Sequence, residues 1–199
     1  MLRIIKHRVN MINQLQNLAP GLGAEVDLRS NQGEIILSHD PFLTGDLFAD
    51  YLKIWASKNN RGTLVLNSKE DQLENRAMEL MKKFGITDYF FLDLTTPTNV
   101  KLAIREKMEK LAVRVSEYEP IEGALKFLGA AEWVWLDCFS GLPPTPDVIT
   151  ALKGKFRLCL VSPELHGHPR TQLPAFLDLA GKVDAVCTKD PESWKAVTL

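Results

Sequence analysis

Cysteine is scarce in this chain. Its three residues, Cys138, Cys159 and Cys187, are odd in number and widely spaced. With no C-x-x-C pair they exclude a disulfide framework and a zinc ribbon. Each is read as a small buried apolar group. Long apolar runs are also missing: none approaches the roughly 18 residues of a membrane-spanning helix, so no membrane span is expected. The opening Met-Leu-Arg-Ile-Ile-Lys-His-Arg has only a two-residue apolar run before charge returns, unlike a secretory leader. The expected compartment is the cytoplasm. Nor is there an excess of one charge, with 24 Lys and Arg against 25 Asp and Glu and a formal net charge of −1. Such a balance gives no general attraction to nucleic acid or an anionic membrane, so any anion-binding charge must be local. No nucleic-acid partner is expected. Low-complexity segments and linkers are absent, and one domain is expected over residues 1–199. Nothing in the sequence signals an oligomeric state.

What is present is an ordinary globular composition, 45% apolar and 25% charged, over 199 residues. That length suffices for a substantial core. Short β-branched or aromatic runs recur at Arg3–Ile5, Ala24–Leu28, Thr63–Leu66, Tyr89–Leu92, Ala112–Val115, Trp133–Leu136, Arg157–Val161 and Ala185–Cys187. A further run, Glu34–Ser38, follows the turn Ser30-Asn31-Gln32-Gly33 and reads as a hairpin-like extension. Helical spacing fills the intervals at Asp46–Ser57, Gln72–Phe84, Thr98–Leu111, Ile121–Leu128, Pro146–Leu152 and Gln172–Ala180. Gly85 is a C-cap candidate, and Pro146 after Thr145 suits the first helical position. Alternating strand and helix implies a parallel sheet with crossover helices. About eight strands point to a small (β/α)8 TIM barrel with short helices, near the lower size limit of that fold. An open doubly wound sheet is the alternative.

Each strand-like run ends in a polar group. His7-Arg8, Glu25 and Asp27, His39-Asp40, Asn67 and Lys69, Asp93, Glu117 and Glu119, Asp137, Glu164 and Lys189 occupy these positions. In a parallel barrel all the C-terminal strand ends converge on one mouth. Charges gathered there are costly unless they pair or hold a metal. Glu25-x-Asp27 puts two carboxylates on one face of a strand, ~6–7 Å apart along it, within reach of one hard cation such as Mg²⁺ or Ca²⁺. His7 and His39 offer two imidazoles for proton transfer, and Arg8 offers a fork for phosphate. Ser116-Glu117-Tyr118-Glu119 repeats the paired-acid geometry. Asp93 and Asp137 read equally as helix caps. The run Ser162–His168, with two histidines and an acid, reads as a substrate-specificity loop, and Trp133 and Trp135 read as core.

The stretch His7-Arg8 … Gly23-Ala24-Glu25-Val26-Asp27-Leu28 … Gly33-Glu34-Ile35-Ile36-Leu37-Ser38-His39-Asp40-Pro41 resembles the glycerophosphodiester phosphodiesterases, members of the phospholipase-C-like phosphodiesterase barrels. Leu66-Asn67-Ser68-Lys69 is similar to their third-strand E-x-K, and Val183–Pro191 to their final strand. The resemblance implies metal-dependent hydrolysis of a small glycerophosphodiester-like substrate. It makes His7 and His39 the acid–base pair, Arg8 and Lys69 the phosphate contacts, and Glu25 with Asp27 the ligands of Mg²⁺ or Ca²⁺. Val9 stands where the family has glycine. Asn67 stands where it has a third carboxylate, for which Asp93 or Glu117 are candidate substitutes. These two departures favour the alternative, a non-hydrolytic relative that binds or processes a phosphorylated metabolite or sugar.

Overall fold

The computed structural model describes residues 1–58 and 61–197. Its strands are β1 (Arg3–Lys6), β2 (Gly23–Asn31), β3 (Glu34–Leu37), β4 (Asp46–Leu47), β5 (Leu64–Ser68), β6 (Tyr89–Leu92), β7 (Ala112–Val115), β8 (Trp133–Leu136), β9 (Arg157–Val161) and β10 (Ala185–Thr188). Its α-helices are α1 (Ile12–Gln16), α2 (Phe48–Ser57), α3 (Glu74–Lys83), α4 (Thr96–Asn99), α5 (Ile121–Leu125), α6 (Pro146–Leu152), α7 (Leu173–Leu177) and α8 (Pro191–Lys195). The fold class is α/β. Parallel pairing runs β6–β5–β2–β1–β10–β9–β8–β7. A single parallel bridge, Phe91 to Leu111, joins β6 to the start of β7 and closes the ring. The eight strands therefore form the small barrel expected from sequence, not the open sheet.

Strand parity sets the two cores. One side of each strand faces inward, where Ile5, Val65, Phe90, Ala112, Trp133, Cys159 and Ala185 are buried together. Phe90 stacks on Trp133 with ring centroids 4.6 Å apart. The opposite parity (Ala24, Val26, Leu64, Leu66, Val113, Val134, Leu158, Val186) faces the helices. Helix α2 presents Phe48, Tyr51, Leu52 and Trp55 to that layer at helical spacing. Helix α3 presents Ala77, Leu80 and Met81, and stops before Gly85 at φ +67°.

Three departures from the sequence reading have local causes. The helix expected over 98–111 begins at Thr96, where Thr95 Oγ1 caps Thr98 N, and passes into a π-helical turn, Val100–Arg105. It cannot continue because Lys107 adopts a left-handed φ of 59°. Helix α1 was not expected, since only Leu15 of its five residues is buried and the periodic signal is correspondingly short. Strand β2 is longer than expected at nine residues. Beyond the barrel it pairs antiparallel with β3 (Leu28 with Leu37 through Asn31 with Glu34), and β3 in turn pairs with β4. Gln32 and Gly33 at φ 51° and 83° make the tight turn that such a two-residue hairpin needs. This flap stands above the mouth and carries His39.

Candidate active site

Inward parity that buries apolar side chains lower in the barrel delivers polar ones at its C-terminal end. Glu25 and Asp27 both point inward from β2 and are almost wholly buried. The Glu25 carboxylate accepts from Arg8 N–H at 2.8 Å and from Asn67 Nδ2 at 2.9 Å, and lies 3.8 Å from His7 Nε2. Arg8 N–H reaches it because Arg8 sits at φ 59°, a left-handed conformation costly for a non-glycine residue. Val9 next to it is buried in the outer core and donates its N–H to the Glu25 carbonyl at 2.9 Å. Asp27 accepts from Asn10 Nδ2 at 2.7 Å, while Lys69 Nζ lies 3.3 Å and Arg8 Nε 3.8 Å from its carboxylate.

From Asp27 an alternating line of charge crosses half the mouth. Lys69 also lies 3.4 Å from Asp93. Asp93, itself at φ 61°, pairs closely with Arg114 from β7. Arg114 Nη1 then meets Asp137 at 2.7 Å, and Asp137 Oδ1 is 2.8 Å from His166 Nε2. Five strand ends in succession thus supply −, +, −, + and − before the imidazole, and burial of each charge is offset by its neighbours. Arg114 has no counterpart in the sequence reading. Its signal was a charged residue on the inward parity of the apolar run Ala112-Val113-Arg114-Val115.

Electrostatics separate His7 from Glu25. Burial, then the positive charges of Arg8 and Lys189, lower the His7 imidazole to about 4. Burial and the neighbouring Asp27 raise the Glu25 carboxyl to about 7. His7 is therefore neutral at pH 7, with Nδ1 buried and without a hydrogen-bond partner among the described residues.

Of the residues singled out from sequence, His7, Arg8, Glu25, Asp27, Asn67, Lys69 and Asp93 come together. Two stand apart. Glu117 turns away to cap the loop after β8, accepting from Phe139 N–H at 3.1 Å and Ser140 N–H at 3.0 Å, because those amides lie open beside it. It is no neighbour of Glu25. His39 is half-buried on the flap, next to Ser38, whose N–H donates to the Asp27 carbonyl at 3.0 Å. Its Nδ1 is 2.7 Å from Asp40 Oδ1 and its carbonyl is held by Arg29 Nε at 3.1 Å.

Among the described residues no three His, Cys, Asp or Glu side chains gather with metal-holding geometry. The donor set nearest to one is Glu25, Asp27 and the Asn67 amide. Asn67 Oδ1 is buried without a hydrogen-bond partner among the described residues, and Asp27 Oδ1 is met there by the Lys69 ammonium alone, at 3.3 Å. Hard oxygens with so few partners fit a hard divalent cation, with part of its shell left to water or substrate.

Solved structures decide the architecture. A Galdieria sulphuraria protein provisionally named a glycerophosphodiester phosphodiesterase superposes with TM-score 0.78 at 16% identity, covering 100% of this chain and 98% of its own. The Agrobacterium tumefaciens glycerophosphodiester phosphodiesterase gives 0.72 at 16% over 98% and 100%. The Thermotoga maritima enzyme gives 0.67 at 15% over 99% and 98%. The chain has the glycerophosphodiester phosphodiesterase fold. No family model and no curated protein matches the sequence. The barrel matches those of these neighbours over nearly its whole length. No helix among the described residues is long and apolar enough to cross a membrane.

Proposed function

We propose that this chain is a metal-dependent phosphodiester hydrolase acting on a small glycerophosphodiester-like substrate. The observation that carries the reading is the convergence of His7, Arg8, Glu25, Asp27 and Lys69 at the C-terminal mouth of such a barrel. Glu25, Asp27 and the Asn67 amide oxygen would hold Mg²⁺ or Ca²⁺, which when bound would supply charge neutralisation at the phosphoryl oxygens. Arg8 and Lys69 bind the same phosphate with a guanidinium fork and an ammonium. His7, neutral at pH 7, takes the proton of the attacking group. His39 has Nδ1 engaged by Asp40, which leaves Nε2 to protonate the departing alkoxide.

The test is hydrolysis of a glycerophosphodiester by His7→Ala, His39→Ala and the double variant in Mg²⁺ or Ca²⁺. Each single change is expected to lower kcat by roughly 100-fold or more, the usual scale of a lost acid or base. Parental turnover in the double variant would end the idea.

A second reading rests on Asn67, whose amide donates to Glu25 where the resemblance has a third carboxylate. In that reading the pocket retains the anion-binding Arg8 and Lys69, and takes a phosphorylated metabolite or sugar without hydrolysing it. Asn67→Glu separates the two. Tighter Mg²⁺ binding together with new diesterase activity marks a weakened hydrolase, and no gain in either favours the binding protein.

A further inference from the structure

Across the mouth from Glu25 and Asp27, the loops after β7, β8 and β9 each contribute one ring to a row. Tyr118 and Phe139 have centroids 6.0 Å apart, and Phe139 and His166 4.5 Å. The row is held from several sides. Glu117 caps the Phe139 and Ser140 amides, and His168 Nε2 donates to the Phe139 carbonyl at 2.9 Å. The turn bearing His166 is tied to β10 through Glu164, which accepts from Thr188 Oγ1 at 2.5 Å and from Lys189 N–H at 2.9 Å. None of these bonds serves the phosphate end of the mouth.

Asp137 fixes the imidazole. It is 6% exposed, pairs with Arg114 Nη1 at 2.7 Å and accepts from His166 at 2.8 Å. A carboxylate paired with a guanidinium only accepts, so the ring nitrogen facing it carries a hydrogen whatever the charge of the ring. Nδ1 of His166 is left without a hydrogen bond among the described residues. A hydroxyl satisfies that nitrogen in either protonation state, because it both donates and accepts. The Phe139 ring beside it offers an apolar face to the carbons bearing such a hydroxyl.

We propose that His166, oriented by Asp137, is a specificity-determining residue that binds a hydroxyl on the alcohol portion of the substrate. This rests on the hydrolase reading. For a phosphate gripped from β1, β2 and β5, this requires the alcohol to extend toward the arc of β7, β8 and β9, which carries the imidazole. Selection is then for phosphodiesters of polyhydroxylated alcohols over alkyl ones.

The test compares the methyl diester of glycerol 3-phosphate with methyl propyl phosphate, the same carbon chain without hydroxyls. The proteins are the parent, His166→Ala, His166→Gln and Asp137→Asn, each checked for folding by thermal unfolding. The parent is expected to favour the hydroxylated diester by about 10-fold in kcat/KM, the scale of one good hydrogen bond at a site built for it. His166→Ala and Asp137→Asn should narrow that ratio to about twofold, chiefly through KM. His166→Gln should recover part of it. An unaltered ratio in His166→Ala, or an equal loss on both diesters, overturns the proposal, as does a parent that does not discriminate. A parent that turns over neither diester fails the hydrolase reading itself, and the subsite falls with it.

Discussion

Glu25 and His7 lie within 3.8 Å and are pushed in opposite directions, one carboxyl up to about 7 and one imidazole down to about 4. In the metal-free protein each leaves a different mark on stability. His7 binds its proton more weakly when folded, so its contribution is complete above the unfolded value of 6.5 and lost as pH falls toward 4. Glu25 binds its proton more tightly when folded, so its contribution is complete below 4.5 and lost as pH rises toward 7. Between 4.5 and 6.5 the two slopes offset each other. In chelator, urea midpoints of the parent should change little over that window from this pair, whereas Glu25→Gln should gain stability steadily with rising pH. A flat profile for Glu25→Gln would contradict the opposition. The pair Glu25 and Asp27 was legible from sequence because strand parity alone puts both on one face. Arg114 was not, because one charge inside a valine-rich strand looks like an outward residue until the barrel closes. Asp137 and His166 come from separate loops after neighbouring strands, and no spacing rule joins them.

The flap built from the end of β2 with β3 and β4 is the element that sets where His39 stands. Gly45 passes so close to β3 that a Cβ there would lie 2.1 Å from the Leu37 carbonyl oxygen. Asp46 beside it accepts from Ile12 N–H at 2.6 Å, which couples the flap to α1. Gly45→Ala is therefore expected to cost about 1–3 kcal/mol by overpacking. Amide exchange should quicken over residues 34–47 and stay slow in β8–β10. Uniform quickening through the barrel would show that the flap is not a separate element. Strands such as Trp133–Leu136 and Arg157–Val161 were readable residue for residue, since a short continuous apolar run between turn residues has few other fates in an alternating chain. Helix α1 and the two-residue β4 were not, because neither is long enough to express a period. The end of the segment after Thr96 was also hidden, set by the left-handed Lys107 and not by a glycine or proline.

At the scale of the whole barrel the pairing is uneven. β1 and β10 are in register over four residues, and β2 and β5 over five, but β6 and β7 meet through one bridge. Above that bridge the Asp93–Arg114 pair spans the same gap at the mouth. Arg114→Met should destabilise the protein by roughly 3 kcal/mol, because it leaves the buried Asp137 without its cation and takes from Asp93 one of its two, Lys69 remaining. Urea unfolding measures the loss, and restoration on adding Asp93→Asn and Asp137→Asn to the Arg114→Met variant would assign it to the orphaned acids. A loss of under ~0.5 kcal/mol, typical of a surface change, would mean the pair closes nothing. The same unevenness marks where the molecule could be divided in two. A break between Arg105 and Leu111 would yield a fragment carrying His7, Glu25, Asp27 and Lys69 and another carrying Arg114, Asp137 and His166. Coexpressed, the two should reassemble along the β1–β10 edge. If the proposed subsite around His166 holds, exchanging the second fragment for that of a structural neighbour should change the choice of alcohol and leave the phosphate contacts of the first fragment in place.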